Sequence, residues 1–429
     1  MTPVLSERRR VEGRLVVFFL ILLAAVTPAR AQDPPPLADT ITASSGEASP
    51  KRPSAAQAGP PHQHPSTNAW QWGVEGNVFA GYNYQLRKFT DFDEIESQNW
   101  LMTSLSKMWS GGSRIQIIGM FSFEAFTLQD IGSPQVFQTG ETFNGAPLID
   151  YQHPHDLIMN LGAEYSHGFG ATTVTVAGYA VGPAPLGPPV FMHRPSASAN
   201  PQSPLSHHYQ DSTHITPGVI SIGVARAGFG IEAGAFHGQE PDEDRLDLDT
   251  AALDSYSFRV SWADGPWQLQ ASSGHLKTPE RKSPYDETRL TASASYFKGD
   301  ENRSTTWLAS FGQNREVFGN LESYLFEAQK RAGRDAFYMR AETTAKDILD
   351  AGFHPIGIAH THRQSQVSAL TLGYVRDIAN RSFGRFGIGG DVTGYLVPDN
   401  LEESYGSPWS FHVFLRYHGR FGARLDHSH

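Results

Sequence analysis

From Trp70 onward, apolar and polar residues alternate along the chain with a period of two. The same alternation returns in 254–264, 265–277, 384–396 and 407–419. Successive side chains of a strand point to opposite faces, so each run predicts a strand with one apolar and one polar face. The first run has aromatic residues at both ends, which is typical of strands that cross an outer membrane. Its apolar face comprises Trp70, Trp72, Val74, Gly76, Val78, Ala80, Tyr82 and Tyr84.

About sixteen such runs follow one another, and an even number of strands is what a closed bacterial barrel needs. The predicted strands are 70–86, 98–109, 113–128, 157–167, 171–181, 215–227, 228–238, 254–264, 265–277, 286–298, 303–315, 320–330, 334–344, 365–377, 384–396 and 407–419.

The connections between these runs alternate between short and long. The short ones are rich in Gly, Asn and Asp: 110–112, 168–170, 227–228, 264–265, 299–302, 332–333 and 378–380. The long ones are 87–97, 129–156, 182–214, 239–253, 278–285, 345–364 and 397–406. A soluble sandwich has no reason to alternate in this way, whereas a transmembrane barrel has short periplasmic turns and long external loops. The sequence therefore predicts an all-β fold, a transmembrane antiparallel β-barrel with long extracellular loops.

The N-terminus is typical of an exported protein. A basic start precedes the apolar run Leu15–Val26, and Ala29-Arg30-Ala31 is a small-x-small cleavage site. A retained signal anchor is the alternative. The following Pro-, Ala- and Ser-rich segment cannot bury enough apolar surface to order itself. The expected organisation is a signal peptide in 1–31, a disordered periplasmic segment in 32–68, the outer-membrane barrel in 69–421 and a tail in 422–429.

Charge and cysteine content exclude several classes of function. The net charge is −10, and removing 1–31, with its five Arg and two Glu, makes it −13. An acidic chain argues against nucleic acid as a partner. The chain has no cysteine, which excludes disulfides and thiolate metal sites. No apolar run after the signal is long enough for a transmembrane helix.

If the apolar faces point to lipid, charged residues of both signs line the lumen. They are a set of solvated or mutually paired side chains, or else a selectivity region of opposed charges. The predicted pore-lining residues are Glu75, Arg259, Arg340, Glu342, Asp391 and Arg416.

The segment 182–214 is the strongest candidate for a loop that folds into the barrel. It carries seven prolines, and it contains Leu186, Val190, Phe191 and Met192, which an exposed loop does not need. Such residues call for a surface to pack on. An inward constriction and a packed external cap are both open.

Histidines and carboxylates concentrate in the long loops, which meet at one rim. Neutral imidazole with oxygen ligands suits Zn, Cu(II), Ni or Fe, and Met192 beside His193 adds a soft ligand appropriate to copper. The alternative is that these histidines hydrogen-bond within ordered loops. The predicted metal-site residues are His153, His155, Asp156, His193, His207, His208, Asp211, His214, His360 and His362. The first choices as ligands are His153, His155, His207, His208 and His214.

The run Asp211-Ser212-Thr213-His214 also permits an enzyme hypothesis. A serine nucleophile needs a base within hydrogen-bond reach, but no nucleophile-elbow glycine pattern surrounds Ser212. The alternative is an Asp/Ser turn at the start of the sixth strand.

The region from Trp70 to Phe421 resembles a Gram-negative outer-membrane β-barrel of porin-like size. The segments LIDYQHPHDLIMNLGAEY, GPPVFMHRPSA, HHYQDSTHI and GQEPDE resemble an uncharacterised family with HPHD and HHxxDSTHI motifs. One departure is that GARLDHSH follows Phe421, where such barrels commonly end at an aromatic residue.

The expected function is a porin-like channel in the outer membrane of a Gram-negative bacterium, linked to transition-metal binding or transport. The expected partners are outer-membrane lipid and small solutes or metal ions. The sequence leaves open a homo-oligomer, and Zn or Cu is the expected cofactor if there is one. The alternative is an outer-membrane enzyme or plugged ligand receptor that uses Asp211, Ser212 and His214.

Overall fold

The computed structural model describes residues 68–249, 252–280, 285–317, 319–349 and 364–422. The strands are β1 Gln71–Arg87, β2 Thr90–Glu96, β3 Asn99–Met108, β4 Ser113–Phe121, β5 Ser133–Phe143, β6 Ala146–Gln152, β7 Ile158–Phe169, β8 Thr172–Gly182, β9 Thr216–Arg226, β10 Phe229–Phe236, β11 Ser255–Asp264, β12 Trp267–Leu276, β13 Glu287–Gly299, β14 Arg303–Glu316, β15 Gly319–Ala332, β16 Asp335–Lys346, β17 Ser365–Arg381, β18 Gly384–Leu396 and β19 Trp409–Gly422. The α-helices are α1 Glu124–Thr127, α2 His207–Gln210 and α3 Glu402–Tyr405, and 3-10 turns span Phe191–His193 and Asp399–Leu401. None of the helices in the described residues is long and apolar enough to cross a membrane.

The strands close into a sixteen-stranded antiparallel barrel, because β1 pairs with β19. Strands β2 and β3 act as one barrel strand interrupted at 97–98. Residues 81–87 of β1 pair with β2, and residues 71–78 pair with β3. The hairpin β5–β6 lies outside the barrel sheet. The predicted all-β antiparallel barrel and its strand number are confirmed.

The two faces of the barrel differ as the alternation predicts. On β11, Tyr256 and Phe258 are 64% and 48% exposed, whereas Ser257 and Arg259 are buried. The same contrast recurs around the barrel, so that a belt of apolar side chains faces outward and polar side chains face the lumen.

The structure differs from the prediction in two long connections. Strand β2 occupies most of the predicted loop 87–97, and β4 ends at Phe121 rather than at residue 128. The predicted external loop 129–156 contains the hairpin β5–β6, and every residue of 133–142 is buried.

Polar side chains of the barrel wall explain why this hairpin folds inward. Asn83 Nδ2 donates to the carbonyl of Pro134 at 2.8 Å, and the backbone N–H of Val136 donates to Gln85 Oε1 at 3.1 Å. A polar lumen can satisfy the backbone groups that lipid cannot. The hairpin therefore looks like a solvated loop in sequence and is buried in the fold.

The segment 182–214 also folds into the barrel. Ala199 packs in one cluster with Phe79 of β1 and Phe414 of β19, which are aromatic residues on the lumen face. Tyr209 donates to the carbonyl of Ala345 at 2.8 Å, on β16. The structure thus favours the inward alternative over an external cap. The expected signal peptide, the segment 32–67, residues 423–429 and the loop histidines His360 and His362 lie outside the described residues.

Candidate metal centre in the barrel lumen

Two inward segments meet inside the barrel: the hairpin loop, residues 122–157, and the proline loop, residues 183–215. Five of their six histidines form a closed circuit of rings. Neighbouring ring centroids lie 6.0 Å apart for His153–His155, 5.6 Å for His155–His214, 5.2 Å for His214–His207, 5.2 Å for His207–His208 and 5.6 Å for His208–His153. Sequence analysis named these five as first-choice ligands, and the fold brings all of them together.

Three of the five histidines converge on one point. The ligand nitrogens of His155, His207 and His214 lie within 4.8 Å of one another. Nδ1 of His155 contacts Glu124 Oε2 at 2.7 Å, Nδ1 of His207 contacts Asp211 Oδ1 at 2.7 Å, and Nδ1 of His214 contacts the carbonyl of Asp211 at 3.0 Å. Because each Nδ1–H has an acceptor, Nε2 of each ring keeps its lone pair for a metal. Metal-binding histidines are typically oriented by such partners.

Local structure sets these positions. In the proline loop, α2 places His207 one helical turn before Asp211, so that the two side chains share a face. In the hairpin loop, Glu124 Oε2 accepts both the backbone N–H and Nδ1–H of His155. Nε2 of His155 and Nε2 of His214 are buried and have no hydrogen-bond partner among the described residues.

The surroundings keep the rings of His207 and His214 neutral. Burial lowers the pKa of His207 to about 4, although Asp211 opposes that shift, and burial lowers the pKa of His214 well below its ordinary value. Burial alone raises the pKa of Asp211, but the Arg194 guanidinium and His207 hold it at about 2. Neutral imidazole is the form that binds metal, so His207 and His214 need no deprotonation at neutral pH.

A buried ion-pair network fixes this loop to the barrel. Arg194 donates to Asp211 Oδ2 at 2.5 Å, and its Nε donates to Glu327 of β15 at 2.9 Å. Arg340 of β16 lies 2.9 Å from the same Glu327. Arg194, Glu327 and Arg340 are each at most 3% exposed. The position of Asp211, and through it the position of His207, is therefore determined by the barrel wall.

A second group of potential ligands adjoins the first. Nδ1 of His208 lies 3.3 Å from Glu240 and 3.7 Å from Glu280, which belong to two other long connections. The ligand atoms of these three residues lie within 4.8 Å of one another. Nε2 of His153 lies 3.1 Å from Glu141 of the hairpin loop. Carboxylates thus lie next to His153 and His208 as well.

Three other predicted site residues lie elsewhere or act differently. Asp156 pairs with Arg245 at 3.2 Å. Nε2 of His193 lies 3.3 Å from Met120 Sδ, away from the histidine circuit. Asp211 supports two histidine rings. The sequence placed the whole cluster at an external rim, but the structure places it inside the barrel, because both loops that carry it pack on lumen side chains.

The predicted pore-lining residues are all buried on the inner side of the barrel wall, and they have polar partners. For example, Asp391 accepts Nδ1–H of His412 at 2.5 Å, and Arg416 donates to Asn77 Oδ1 at 3.0 Å. Their role in selectivity stays a prediction. The six residues are Glu75, Arg259, Arg340, Glu342, Asp391 and Arg416.

Sequence reasoning missed the residues that support the site. Glu124 lay in a segment read as a strand end, and Glu327 lay among many lumen-facing polar residues. It also missed Met102 and Met120, which lie on the lumen face of β3 and β4. A signal for these two was present, since an apolar residue at a polar position of an alternating strand needs a packing partner or a ligand.

The geometry of Ser212 does not favour the enzyme hypothesis. Its Oγ accepts a hydrogen bond from Arg289 Nη1 at 2.7 Å. Nδ1 of His214, the base in that hypothesis, faces the carbonyl of Asp211 instead. A nucleophilic serine needs its base within hydrogen-bond reach.

The structure is similar to solved outer-membrane porins. OprB of Pseudomonas putida is 10% identical, with a TM-score of 0.51 over 82% of this chain and 94% of that one. The anion-selective porin from Comamonas acidovorans is 13% identical, with a TM-score of 0.49 over 82% and 100% of the two chains. Salmonella typhi OmpF, in complex with daunomycin, is 9% identical, with a TM-score of 0.49 over 81% and 97%. No family model matches the chain, and no curated protein matches it in sequence.

At such low identity the similarity concerns the fold alone. Of the three structures, OprB of Pseudomonas putida supports it, because its TM-score is above 0.5. Sixteen antiparallel strands form a closed barrel, and an apolar belt covers its outside. A barrel with these two features spans an outer membrane, because lipid tolerates neither an open sheet edge nor a charged outer face. The expectation of a porin-like barrel in the outer membrane of a Gram-negative bacterium is thereby confirmed.

Proposed function

We propose that this protein is an outer-membrane channel of the porin type whose lumen binds a transition-metal ion at His155, His207 and His214. The observation that carries this proposal is the convergence of three ring nitrogens within 4.8 Å while each opposite nitrogen is held by an acceptor. Ordinary core histidines have no reason to direct three lone pairs at one point.

The donor set indicates the class of metal. Imidazole nitrogen suits Zn and Cu(II), and three protein ligands leave a fourth position for water or a solute. A tetrahedral site with nitrogens about 2.0–2.1 Å from the ion brings them roughly 3.4 Å apart, so small side-chain rotations close the site. The carboxylates of Glu124 and Asp211 then act as orienting partners.

The position of the site connects it to passage through the barrel. The hairpin loop and the proline loop pack across the lumen from β1 to β16. A solute that crosses the barrel therefore passes close to these loops. Small solutes and metal ions are the expected cargo.

Calorimetry on the refolded full-length barrel tests the metal part of the proposal, with Zn(II) and Cu(II) titrated separately. We expect one equivalent to bind, and we expect His155→Ala, His207→Ala and His214→Ala each to weaken binding by at least tenfold. His237→Ala is the matched control, because His237 pairs with Asp254 at 3.2 Å on a different connection. If no stoichiometric binding is seen, or if affinity falls equally in the control, the histidines are structural residues of the loops and not metal ligands.

The channel part is tested separately by conductance in planar bilayers. A porin-type barrel conducts ions, and a barrel that is completely plugged does not. Since the two measurements are independent, failure of either part leaves the other one interpretable.

A further inference from the structure

Three methionines line one patch of the inner barrel wall beside the histidines. Met102 on β3 and Met120 on β4 lie directly opposite each other in the strand register. Met159 on the next strand, β7, belongs to the same cluster. All three are at most 4% exposed. The same cluster contains Trp100, Ile118, Val181 and Ile215, so this part of the inner wall is apolar.

A β-bulge brings the third methionine inward. Met120 pairs with Asn160, while its neighbour Phe121 pairs with Ile158, so that Met159 is the extra residue. Both Met159 and Asn160 are consequently buried, instead of alternating between the two faces. Bulges commonly re-aim a side chain near a functional site. Oδ1 of Asn160 is buried and has no hydrogen-bond partner among the described residues.

The proline loop supplies two further donors to this patch. Its 3-10 turn places His193 with Nε2 3.3 Å from Met120 Sδ. Met192 packs against the methionine cluster from the same turn. An imidazole nitrogen and a thioether sulfur at this distance need to move apart only slightly for one metal ion to bind between them.

A cavity joins the methionines to the histidine site. Its lining includes Met102, Met120, Asn160, His193 and His214, together with Asp211, Arg259 and apolar side chains of the proline loop. His214 is one of the three converging histidines. The cavity is therefore bordered by soft thioether donors and by imidazole donors.

Packing alone explains this arrangement poorly. Methionine fills irregular gaps in many cores, and this cluster also contains Trp100, Ile118, Val181 and Ile215, but four of the seven methionines of this chain lie in it or pack against it. The chain has no cysteine, so thioethers are its only soft donors. Thioether and imidazole together select Cu(I), whereas Zn prefers imidazole, carboxylate or thiolate.

We infer that Met102, Met120 and His193, with Met159 and Met192 at the margin, form a soft-metal site that binds monovalent copper in the lumen. The inference rests on the proposed function and names its cargo: copper occupies the methionine site as Cu(I), next to a histidine site that suits a divalent ion. A thioether carries no proton at any ordinary pH, so its binding is not lost by protonation.

The test uses two monovalent ions. Ag(I) is redox-inert and similar in softness to Cu(I), and Cu(I) is titrated under anaerobic conditions in competition with a chromogenic chelator. Both are titrated into the full-length barrel and into the double variant Met102→Leu/Met120→Leu. Leucine conserves the volume of methionine, so that the fold is retained. Met339→Leu is the control, because Met339 pairs with Leu372 on strands far from the site.

We expect the double variant to bind Ag(I) and Cu(I) at least tenfold more weakly, with Zn(II) affinity unchanged. The X-ray absorption spectrum at the copper edge should show sulfur neighbours of copper in the wild-type barrel that the double variant lacks. Equal Ag(I) affinity in the wild type and the double variant, or no Ag(I) binding at all, would overturn the inference and leave the methionines as packing residues. Zn(II) titration reports on the histidine site independently. Failure of the proposed histidine site is therefore distinguished from failure of the methionine site.

Discussion

The carboxylate of Asp211 lies 2.7 Å from Nδ1 of His207, one helical turn earlier in the chain. The other oxygen of that carboxylate receives Arg194, which is itself paired with Glu327 on the barrel wall. The orientation of one imidazole ring is thus set by a chain of ion pairs that ends in the barrel. Changes along this chain should alter metal binding without removing a ligand.

Asp211→Asn should weaken Zn(II) binding by about ten- to a hundredfold, because an amide orients His207 less strongly and gives its ring less basicity. Calorimetry on the refolded barrel measures the effect. Asp254→Asn, which changes the partner of His237 on another connection, is the matched control. Unchanged affinity in Asp211→Asn would show that His207 is not a ligand.

Metal binding through His207 and His214 should depend weakly on pH above the lowered pKa values of these two rings. Protons compete for Nε2 only when the pH approaches the pKa of the ring, and the pKa of His207 is about 4 because the ring is buried. Protonation of His207 should therefore cost no Zn(II) affinity between pH 7 and pH 5.5, and the affinity should fall as the pH approaches 4. A cluster of solvated histidines with ordinary pKa values near 6.5 would lose roughly tenfold per histidine over that interval. Titrations at pH 7 and 5.5 separate the two cases, and such a loss would contradict the buried site.

Glu327→Gln should open the lumen. The substitution removes the carboxylate that pairs with Arg340 and leaves Arg194 paired with Asp211 alone, and breaking a buried ion pair typically costs about 3–5 kcal/mol. The proline loop should then leave the wall, and single-channel conductance in planar bilayers should rise severalfold.

The control for this prediction is Asp335→Asn. Its partner Arg376 lies 2.7 Å away and is 54% exposed, and exposed pairs contribute about 0–1 kcal/mol. Conductance should not change in the control. If it also stays constant in Glu327→Gln, the buried pair does not hold the loop across the lumen.

The barrel could be predicted from the sequence because each strand has one face in lipid and one in the lumen. Tyr256 and Phe258, for instance, alternate with Ser257 and Arg259, and this period of two is specific to strands. The ends of most strands followed from glycine-rich turns. Strand β2 was not predicted, because its sequence TDFDEIE lacks a clear apolar face.

The interior could be predicted only in part. The five histidines were identified because residues of one type concentrated in loops that share a rim. Their depth was not predicted, because Asn83 and Gln85 receive the hairpin loop through hydrogen bonds that leave no periodic signal. The bulge at Met159 was also invisible, since it depends on the register between two strands.

Gly187→Ala should displace the histidine site while leaving the barrel intact. Gly187 has φ +86°, and a Cβ there would collide with the carbonyl oxygen of Gln210, the last residue of α2. The same residue joins the loop to the wall, because its N–H donates to Ser272 Oγ at 2.8 Å. Shifting this contact moves α2 and with it His207, so Zn(II) affinity should fall at least tenfold.

The matched control for Gly187→Ala is Gly170→Ala. Gly170 has a similar φ of +65°, but nothing lies within 4 Å of the added Cβ. Backbone strain of about 1–2 kcal/mol is common to both variants, so only the collision with Gln210 differs between them. Circular dichroism and heat resistance should show intact barrels in both variants, with metal affinity lost in Gly187→Ala alone. Equal affinities in the two variants would mean that the close approach of Gly187 to α2 does not position the histidines.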